Sequence, residues 1–589
     1  MSIFLFLLLF FIVPVSPFSS PDRYTKSHVS SHHQEYLELA HPLPSDFLIP
    51  SCTHQILRHS FANTINSPPF STSYSPPSEC LPPWSYVSLE LRAECRGEQY
   101  DRIAGLWLGG AELLRTSTAE PTKCGIFWKV RKDITRYSSL LSRSDLNVTM
   151  MLENIVNNFY TGVYHVAVTF LYYKENADED QSLVYHQNFG FLREKQQKGG
   201  VRSWQGLAGL YETPADFIIP ISDRGNRGSW FRIESESDVY SQRIRIPRNT
   251  YRAVLELYVS FHGNDEFWYS NPPNSYIETN NLTTGRGNGA YREVFVIVDG
   301  KFAGSEAPFP VMFTGGVNPL FWEPVVGIGA FNLPSYDFDL TPFLGQLLDG
   351  KVHSYGFGVS GGISYWLVNA NLHLWVDHKA SKRLKARSVV YNSPRLKIKR
   401  REDFKLLDGS FKVQAERKAQ FGGWVKSSAG NLTTVFSQDY RLKSSVNFVK
   451  NGAYKLVKQK VKAWREVVVR NEGGTAVTRL SVRRTYPLSV ITSTQPGPQR
   501  KKDTYLLVTN VSRALSERYS HGDFSSLVYY SQDSRGWMEV RDHSVLSGSA
   551  LTRQRFSYRD LFKCYSRSVE AADGKLIGSN TTTDCISSF

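Results

Sequence analysis

Hydrophobic residues in this chain recur at intervals too short for helices. Before residue 380 they alternate with polar residues over short segments, which turns rich in Gly and Pro separate, and no long amphipathic helix intervenes. The stretch 162–173, GVYHVAVTFLYY, alternates over a full strand length. A period of two places successive side chains on opposite faces of a strand. The pattern therefore predicts an all-β chain of β-sandwich or jelly-roll domains.

With 589 residues, the chain is longer than one hydrophobic core usually accommodates. We expect two tandem jelly-roll or β-sandwich domains, at 86–225 and 226–378. An extended N-terminal segment rich in Pro and Ser, 20–85, precedes them. A basic run predicts a linker at 379–405, open to proteases, before a β-rich, basic C-terminal domain at 406–589.

Residues 1–19 have the composition of a signal peptide. Ile3 to Val15 form an almost continuous apolar run, and small residues and Pro follow it. The run is too short to span a bilayer, and no later segment is long and apolar enough to do so. We therefore expect export, without stable membrane insertion of the mature chain.

Cysteines and glycosylation motifs indicate the same secretory route. The six cysteines are even in number and include no CxxC pair, which favours disulfides over zinc. We expect Cys564 to pair with Cys585, whereas the four N-terminal cysteines allow three pairings. Motifs for N-glycosylation occur at Asn147, Asn281, Asn431, Asn510 and Asn580.

The net charge of +15 is unevenly distributed along the chain. From residue 378 onward there are 40 Lys and Arg against 17 Asp and Glu, whereas the rest of the chain has 29 against 37. The excess of basic residues therefore lies away from the candidate site described below. In an exported chain this argues against a nucleic-acid partner and favours a domain that docks acidic surfaces or cell-wall polyanions.

Three carboxylates stand among polar and aromatic residues near predicted strand ends. Asp101 precedes the apolar stretch 103–108, Glu293 opens a strand, and Glu153 lies in a Leu-Glu-Asn sequence. Amide hydrolysis needs a positioned water, a base and a donor to the departing nitrogen, and carboxylates in different environments can supply the last two. Arg102 could hold Asp101 ionised. The alternative interpretation is ordinary salt bridges at strand ends.

The segment 261–276, FHGNDEFWYSNPPNSY, combines aromatic rings with polar side chains. Apolar ring faces beside hydrogen-bonding groups suit sugars, so His262, Asp265, Glu266 and Trp268 are candidate binding residues. The alternative is a structured loop whose aromatic residues belong to the core. A metal site here has weak support, because no second His follows at ligand spacing.

Nucleophilic mechanisms find little support in the sequence. No H-E-x-x-H motif occurs, and all six cysteines have a disulfide explanation. A thiol mechanism that uses Cys, His and Asp is therefore disfavoured.

Longer segments carry a more specific combination of motifs. Residues 101–173 contain DRIAGLWLGGAELLRTSTAEP, GIFWKVRKDITRYSSLL and MLENIVNNFYTGVYHVAVTFLYY. Residues 256–357 contain ELYVSFHGNDEFWYSNPPNSY, REVFVIVDG, PFPVMFTGGVNPLFW and TPFLGQLLDGKVHSYGF. Over about residues 80–380 the chain resembles the plant peptide-N-glycosidase A family.

The resemblance implies hydrolysis of the β-aspartylglucosylamine bond in N-glycopeptides and denatured glycoproteins. The family works at acidic pH without a metal or other cofactor, which implies an extracellular (apoplastic) or vacuolar location for an exported member. Proteolytic processing into two associated chains is a further possibility, and the oligomeric state is left open.

A more distant similarity to the bacterial peptide-N-glycosidase F implies the site residues. That enzyme has two eight-stranded jelly rolls with its site between them, and its Trp-Asp-Arg stretch resembles Tyr100-Asp101-Arg102 here. We expect Asp101 to position or deprotonate the attacking water and Glu293 to assist it or protonate the leaving nitrogen. We expect Glu153, the third catalytic carboxylate, to hold the first GlcNAc with Arg102 and Trp268. The other expected substrate-binding residues are Trp128, His262, Asp265 and Glu266.

Two other functions remain open at this point. A lectin-like protein without catalysis would share the sandwich fold, and a glycoside hydrolase would also use two carboxylates. The reaction products distinguish them, because only an amidase converts the glycosylated asparagine to aspartate.

Overall fold

The computed structural model describes residues 24–26, 33–174, 183–185, 191–193, 213–223, 229–497 and 503–583. The predicted signal peptide and Cys585 lie outside these residues. The described chain is all-β, as the alternating pattern predicts, and none of its helices is long and apolar enough to cross a membrane. Its α-helices are short: α1 (Ser138–Leu141), α2 (Asn274–Thr279) and α3 (Leu344–Leu347).

Nine strands form the first sandwich, and β1 (Thr25–Lys26) lies before them, paired with the C-terminal region. The nine are β2 (Gln34–Tyr36), β3 (Cys52–Phe61), β4 (Phe70–Tyr74), β5 (Tyr86–Arg96), β6 (Ile103–Leu108), β7 (Ala111–Ser117), β8 (Ile126–Asp133), β9 (Leu146–Leu152) and β10 (Val163–Tyr173). One sheet has the order β2-β8-β5-β10-β3, and the other has the order β4-β9-β6-β7. Inward-facing residues such as Leu89 and Val168 are fully buried between them.

The first sandwich begins earlier in the chain than the sequence predicts. β3 and β4 lie in the segment 20–85, yet they pair with β10 and β9. The expected boundary at residue 86 is therefore wrong, because the Ser-Pro-Pro breakers flank β4 and do not interrupt it. Cys52 at the start of β3 forms a disulfide with Cys80, whereas Cys95 and Cys124 are free. Cys564 is disulfide-bonded.

The second sandwich follows a two-stranded sheet of β11 (Leu183–Tyr185) and β12 (Phe191–Arg193). Its sheets have the orders β13-β21-β16-β19, with β14 also on β21, and β15-β20-β17-β18. The first strand, β13, precedes the expected boundary at residue 226 and moves that boundary earlier. The strands are β13 (Phe217–Ile221), β14 (Phe231–Ile233), β15 (Tyr240–Ile244), β16 (Thr250–Phe261), β17 (Glu293–Val298), β18 (Lys301–Glu306), β19 (Ser335–Asp339), β20 (His353–Ser360) and β21 (Trp366–Val376).

A single antiparallel sheet of long strands forms the C-terminal region. It runs in the order β22-β24-β25-β26-β27-β28-β29-β30-β31-β32, with β23 on β24. The strands are β22 (Lys385–Asn392), β23 (Lys397–Lys405), β24 (Asp408–Ser427), β25 (Gly430–Val449), β26 (Tyr454–Arg470), β27 (Ala476–Pro496), β28 (Tyr505–His521), β29 (Phe524–Arg541), β30 (Ser544–Asp560), β31 (Cys564–Ala572) and β32 (Lys575–Thr582). The predicted linker at 379–405 is therefore wrong, because β22 and β23 occupy most of it. Their basic side chains lie along the edge of the sheet, where charge prevents pairing with a further strand.

The loop 307–334, between β18 and β19, lies where the three parts of the molecule meet. Almost all of it is buried. Thr552 of β30 donates a hydrogen bond to the carbonyl of Phe321 in this loop at 2.8 Å, and Arg513 of β28 donates to that of Pro310 at 3.1 Å. We call residues 307–334 the site loop, because it also closes over the residues described next.

Candidate active site

Three acidic residues lie at one end of the sheet β4-β9-β6-β7. Asp101 stands two residues before β6, and Glu153 directly follows β9. β6 pairs antiparallel with both β9 and β7, so its start lies beside the ends of its two neighbours. Glu120, three residues beyond β7, is at the same end. The topology thus brings together residues that are up to about fifty positions apart in sequence.

Asp101 and Glu120 converge on Gly315 of the site loop. A Cβ atom placed on Gly315 would lie closer than 3.0 Å to both Oδ1 of Asp101 and Oε1 of Glu120. The two oxygens are therefore at most about 6 Å apart, a range over which one carboxylate affects another. Only glycine leaves room for both carboxylates at this position.

Both of these carboxylates are buried. Asp101 and Glu120 are each 3% exposed, and Oδ1 of Asp101 has no hydrogen-bond partner among the described residues. Leaving a buried polar atom unpaired costs on the order of 1–3 kcal/mol, which makes such an atom a candidate for function. Tyr100 and Arg102 on either side of Asp101 are partly exposed, so the carboxylate lies just beneath the surface.

Tyr164 of β10 holds the two acidic segments in place. Its hydroxyl lies 2.9 Å from the carbonyl oxygen of Tyr100 and 3.2 Å from that of Ala119. These two residues immediately precede Asp101 and Glu120. Burial raises the pKa of Tyr164 well above its usual value, so the hydroxyl keeps its proton and remains a donor.

Arg102 contacts neighbours other than Asp101. Its Nη2 donates to Oε1 of Gln99 at 2.6 Å, and its backbone N–H donates to Oγ1 of Thr118 at 2.9 Å. In the described part of the chain, no ion pair joins Arg102 to Asp101. The ion pair expected from their adjacency in sequence is therefore not formed.

The first sandwich and the N-terminal segment both hold the site loop. Thr314 Oγ1 donates to the carbonyl of Thr118 at 2.8 Å. Trp128, which we expected to bind substrate, is 2% exposed and stacks on Phe331 of the site loop at 5.8 Å between ring centroids. Its position is that of a support beneath the loop.

Glu38 binds the same loop through its backbone. Its carboxylate accepts hydrogen bonds from the backbone N–H groups of Gly329 at 2.6 Å and Phe331 at 2.8 Å. Burial raises the pKa of Glu38 to about 7, although these N–H groups and the charge of Arg513 lower it in part. An ionisable group thereby connects the N-terminal segment to the loop that carries Gly315.

Glu153 lies at the same sheet end as Asp101 and is half-buried. Its Oε1 accepts a hydrogen bond from the backbone N–H of Asn66 at 3.3 Å. The rest of the carboxylate has freedom to contact a ligand, because this bond engages only one oxygen. The pairing of β6 with β9 places Glu153 at the same sheet end as Asp101.

Glu293 occupies a different environment, at the start of β17. Its side chain is fully buried, and both oxygens accept hydrogen bonds from the guanidinium of Arg417, at 2.8 and 2.9 Å. Oε2 also accepts from the hydroxyl of Tyr291 at 3.0 Å. No hydrogen bond or ion pair among the described residues joins Glu293 to Asp101. Its contacts are those of an ion pair between the second sandwich and β24.

Asp265 is held in the same way within the second sandwich. Arg292 donates to both of its oxygens at 2.6 and 2.8 Å, and the indole of Trp366 donates to Oδ2 at 2.6 Å. His262 lies 2.9 Å from the hydroxyl of Ser260 and is 4% exposed. These contacts fold the segment 261–276 onto its own sheet.

Trp268 and Glu266 of that segment are also buried, at 0% and 6% exposure. The ring of Trp268 packs edge-on against Phe261 at 6.3 Å between centroids. This is the packing of a core residue, as the alternative interpretation of the segment has it. Within the described ranges, no three His, Cys, Asp or Glu side chains are grouped to hold a metal ion.

Four of the predicted glycosylation sites have exposed asparagines, and Asn431 is half-buried. All five lie among the described residues. The exposed four are Asn147, Asn281, Asn510 and Asn580.

Glu120 is the residue that sequence reasoning missed. It stands in the segment RTSTAEP, within one of the motifs that carry the family resemblance, three residues after an apolar strand. A Glu-Pro pair after a strand reads as an ordinary turn. Only the pairing of β6 with β7 shows that this turn returns to Asp101.

The chain is similar to known proteins over most of its length. Residues 40–394 match the family model described as peptide N-acetyl-beta-D-glucosaminyl asparaginase amidase A. The chain is also 40% identical over 538 residues to peptide-N4-(N-acetyl-beta-glucosaminyl)asparagine amidase A of Prunus dulcis, which covers 91% of this chain and 90% of that one. The chain belongs to the peptide N-acetyl-beta-D-glucosaminyl asparaginase amidase A family, and the resemblance stated from its motifs is confirmed.

Among solved structures, a structure of PNGF-II is similar over 56% of this chain and 66% of that chain. The two are 12% identical, with a TM-score of 0.31. A similarity this low carries no argument about fold or site.

Proposed function

We propose that this chain hydrolyses the amide bond that joins an N-glycan to asparagine in glycopeptides and denatured glycoproteins. The products are a peptide with aspartate in place of asparagine and a 1-amino-glycan. Family membership supports the reaction class. The observation that carries the proposal is the convergence of the carboxylates of Asp101 and Glu120 on Gly315.

The carboxylate pair can divide the proton transfers between its members. Asp101 accepts a proton from water as the water oxygen attacks the amide carbonyl carbon. The carbon–nitrogen bond then breaks, and Glu120 donates a proton to the departing nitrogen of the sugar. Such a division needs one ionised and one protonated carboxylate, a state that enzymes reach by pairing acids in unlike environments.

Glu120 takes the role that the sequence predicts for Glu293. Because both oxygens of Glu293 are bound to Arg417, using it as an acid would break a buried ion pair. Glu120 lies across Gly315 from Asp101, within the range over which one carboxylate affects another. The proposed catalytic residues are therefore Asp101 and Glu120, with Glu293 in support of the fold.

Sugar binding falls to the partly exposed residues around Asp101. Arg102 and Glu153 offer a donor fork and a carboxylate at the same sheet end, and both suit the hydroxyl and acetamido groups of the first GlcNAc. Asp265, Glu266, His262 and Trp268 act through the packing of the second sandwich, and Trp128 acts through the site loop.

We further interpret each sandwich as a jelly roll. In the first, consecutive strands from β3 to β10 give the sheet orders 6-3-8-1 and 2-7-4-5 when renumbered within the unit. The second sandwich repeats this arrangement from β13 to β21 when β13 and β14, which both pair with β21, count together as its first strand. The first strand of each unit pairs with its last, as folding a long Greek-key ribbon into two sheets requires.

The cellular setting is proposed from the sequence. A signal peptide, a disulfide between Cys52 and Cys80 and exposed asparagines in glycosylation motifs are typical of a protein of the secretory pathway. An acidic extracellular space or vacuole suits a mechanism based on carboxylates.

A defined N-glycopeptide incubated at acidic pH in oxygen-18 water tests the proposal by mass spectrometry. We expect one heavy oxygen in a new aspartate and an amino-glycan that loses ammonia. Glu94→Gln, an exposed acid in β5 of the same sandwich, is the control and should retain full activity. A glycan released with asparagine or GlcNAc-asparagine left on the peptide would identify a glycoside hydrolase, and retention of intact glycopeptide would identify a lectin.

A further inference from the structure

The outer face of the C-terminal sheet carries a dense array of cations that the proposed reaction does not use. Seven exposed Lys and Arg side chains lie on four neighbouring strands, β23 to β26. We call them the basic face: Lys399, Arg401, Lys412, Lys443, Lys458, Lys460 and Lys462.

The strand registers place these cations side by side. Arg401 lies directly opposite Lys412 across β23 and β24. Lys443 lies opposite Lys460 across β25 and β26, and Lys458 and Lys462 flank Lys460 on the same face. Neighbouring strands are about 4.8 Å apart, and residues two apart on a strand are about 6.6 Å apart. The basic face is therefore a compact lattice of positive charge.

Few acidic residues neutralise this lattice. Glu416 and Asp439 contact Lys418 and Arg441 at its margin, at 3.1 to 3.9 Å. None of the seven cations of the basic face has an ion-pair partner within the described ranges. Like charges directly opposite each other destabilise a sheet, so this arrangement costs stability unless an anion binds it.

The sheet holds the lattice rigidly, because the opposite face packs on the second sandwich. Phe411, Val446, Val457 and Val461 point inward and are at most 4% exposed. The strands therefore cannot twist the cations apart without disrupting a core. A preorganised array binds a ligand at low entropic cost.

The polar residues within the lattice indicate the class of ligand. Gln414 and Ser445 lie between cations in the same cross-strand rows and offer hydrogen bonds to hydroxyl groups. The two rows, Lys399–Gln414–Lys443–Lys460 and Arg401–Lys412–Ser445–Lys458, therefore hold no aromatic ring on which a base could stack and no apolar side chain that could enter a bilayer. A flat array of cations and amides suits an acidic polysaccharide with a carboxylate on each sugar.

We propose that the basic face binds acidic polysaccharides and thereby retains the protein on polyanionic extracellular matrix. This function is separate from the glycopeptide site, which lies in the first sandwich and the site loop. It also gives a role to the excess of positive charge after residue 378.

Binding of the full-length chain to immobilised polygalacturonate tests the proposal at low and high salt. The test variant carries Lys443→Gln, Lys458→Gln, Lys460→Gln and Lys462→Gln. The control carries the same number of changes at exposed lysines on the sandwiches: Lys123→Gln, Lys301→Gln, Lys351→Gln and Lys379→Gln. Methyl-esterified polygalacturonate, which is uncharged, is the ligand control.

We expect salt-sensitive binding of the wild type to the charged polymer only. Affinity should fall by about tenfold or more in the test variant and by less than about twofold in the control variant. Both variants should hydrolyse a short glycopeptide normally, which shows that they fold and separates this outcome from a failure of the proposed activity. If the test variant does not fold, the pair Lys460→Gln and Lys462→Gln replaces it.

Three results would overturn the proposal. Equal losses in both variants would show that only net charge matters. Equal binding of the esterified polymer would remove the role of charge. Binding to anionic lipid vesicles or DNA in preference to polygalacturonate would show that the basic face recognises a different class of partner.

Discussion

Buried carboxylates have different partners at the end of the first sandwich near Asp101 and in the Asp265–Glu293 region of the second sandwich. In the second, Arg292 and Arg417 each bind both oxygens of an acid. In the first, Oδ1 of Asp101 has no hydrogen-bond partner among the described residues and faces a second carboxylate, that of Glu120, across Gly315. The two regions share a fold and differ in how they hold negative charge.

This difference separates structural from chemical roles. A buried acid that is bound by arginine on both oxygens contributes to the fold, and removing its charge leaves an uncompensated cation. A buried acid without such a partner lowers stability and gains nothing structural in return. The contrast therefore supports the proposal that Asp101 and Glu120 take part in catalysis and that Asp265 and Glu293 stabilise the fold.

The largest effect is expected for Asp101→Asn. We expect glycopeptide hydrolysis to fall by about 10³-fold or more, because the base that accepts the water proton is lost. Stability should stay the same or rise, since a buried charge is removed. Rates from mass spectrometry and thermal unfolding of the same sample check both statements.

Glu120→Gln and the double variant are the controls for that prediction. If the two acids act as one unit, the double variant should be no slower than the worse single variant. If the loss of rate in the double variant equals the product of the two single losses, the residues act independently, and the proposed catalytic pair is wrong.

Glu293→Gln should give the opposite pattern. It leaves the buried guanidinium of Arg417 without its charged partner, so we expect a loss of about 3–5 kcal/mol in the free energy of unfolding. The activity of the folded fraction should change by less than about threefold. Urea unfolding and active-site-normalised rates measure the two effects. A Glu293→Gln protein that is stable but inactive would show that Glu293 takes part in catalysis.

Gly315→Ala alters the carboxylate pair without removing it. The added Cβ would press on both oxygens, so we expect the two acids to separate and the rate to fall by roughly 10- to 100-fold. Gly473→Ala is a matched control in a turn of the C-terminal sheet, where the new Cβ has space. Steady-state rates of glycopeptide hydrolysis are measured for both variants. An unchanged rate in Gly315→Ala would show that the packing of the two carboxylates against Gly315 is not needed for catalysis.

The alternating pattern predicts individual strands well and domain boundaries poorly. β17 begins at Glu293 and ends at Val298, as expected, and Asp299 and Gly300 form the predicted hairpin turn with positive φ angles of 48° and 76°. These features depend on local sequence. The expected boundaries place three strands in the wrong units: β3, β4 and β13. A sandwich is defined by which strands pair, and the composition of one strand does not indicate its distant partner.

The same limit applies to the candidate site. Asp101 could be chosen from its motif, and Glu153 from its place at a strand end. Glu120 could not, because its proximity to Asp101 depends on the β6–β7 register and on the site loop contributed by another domain. Trp268 has the composition of a sugar platform and the burial of a core residue, which only packing distinguishes.

The smallest expected effect is on the free energy of unfolding as pH changes, through Glu38, which binds the site loop. Glu38 has a folded pKa of about 7, raised from 4.5 chiefly by burial. The folded protein therefore binds this proton more tightly than the unfolded chain does, so the contribution of Glu38 is fully present below pH 4.5 and is lost as pH rises through about 7. Because part of the side chain reaches solvent, we expect a loss on the order of 1 kcal/mol across this range.

Glu38→Gln should flatten the dependence of stability on pH between 4.5 and 7. Urea unfolding at several pH values in this window measures the slope for the wild type and the variant. Glu35→Gln, an exposed acid on β2, is the control and should keep the wild-type slope. If the Glu38→Gln slope equals that of the wild type, other groups set the pH dependence. A flattened slope would show that protonation of Glu38 contributes to stability at acidic pH. Glu38 binds the site loop of the second sandwich, and this loop closes over the carboxylates of the first sandwich.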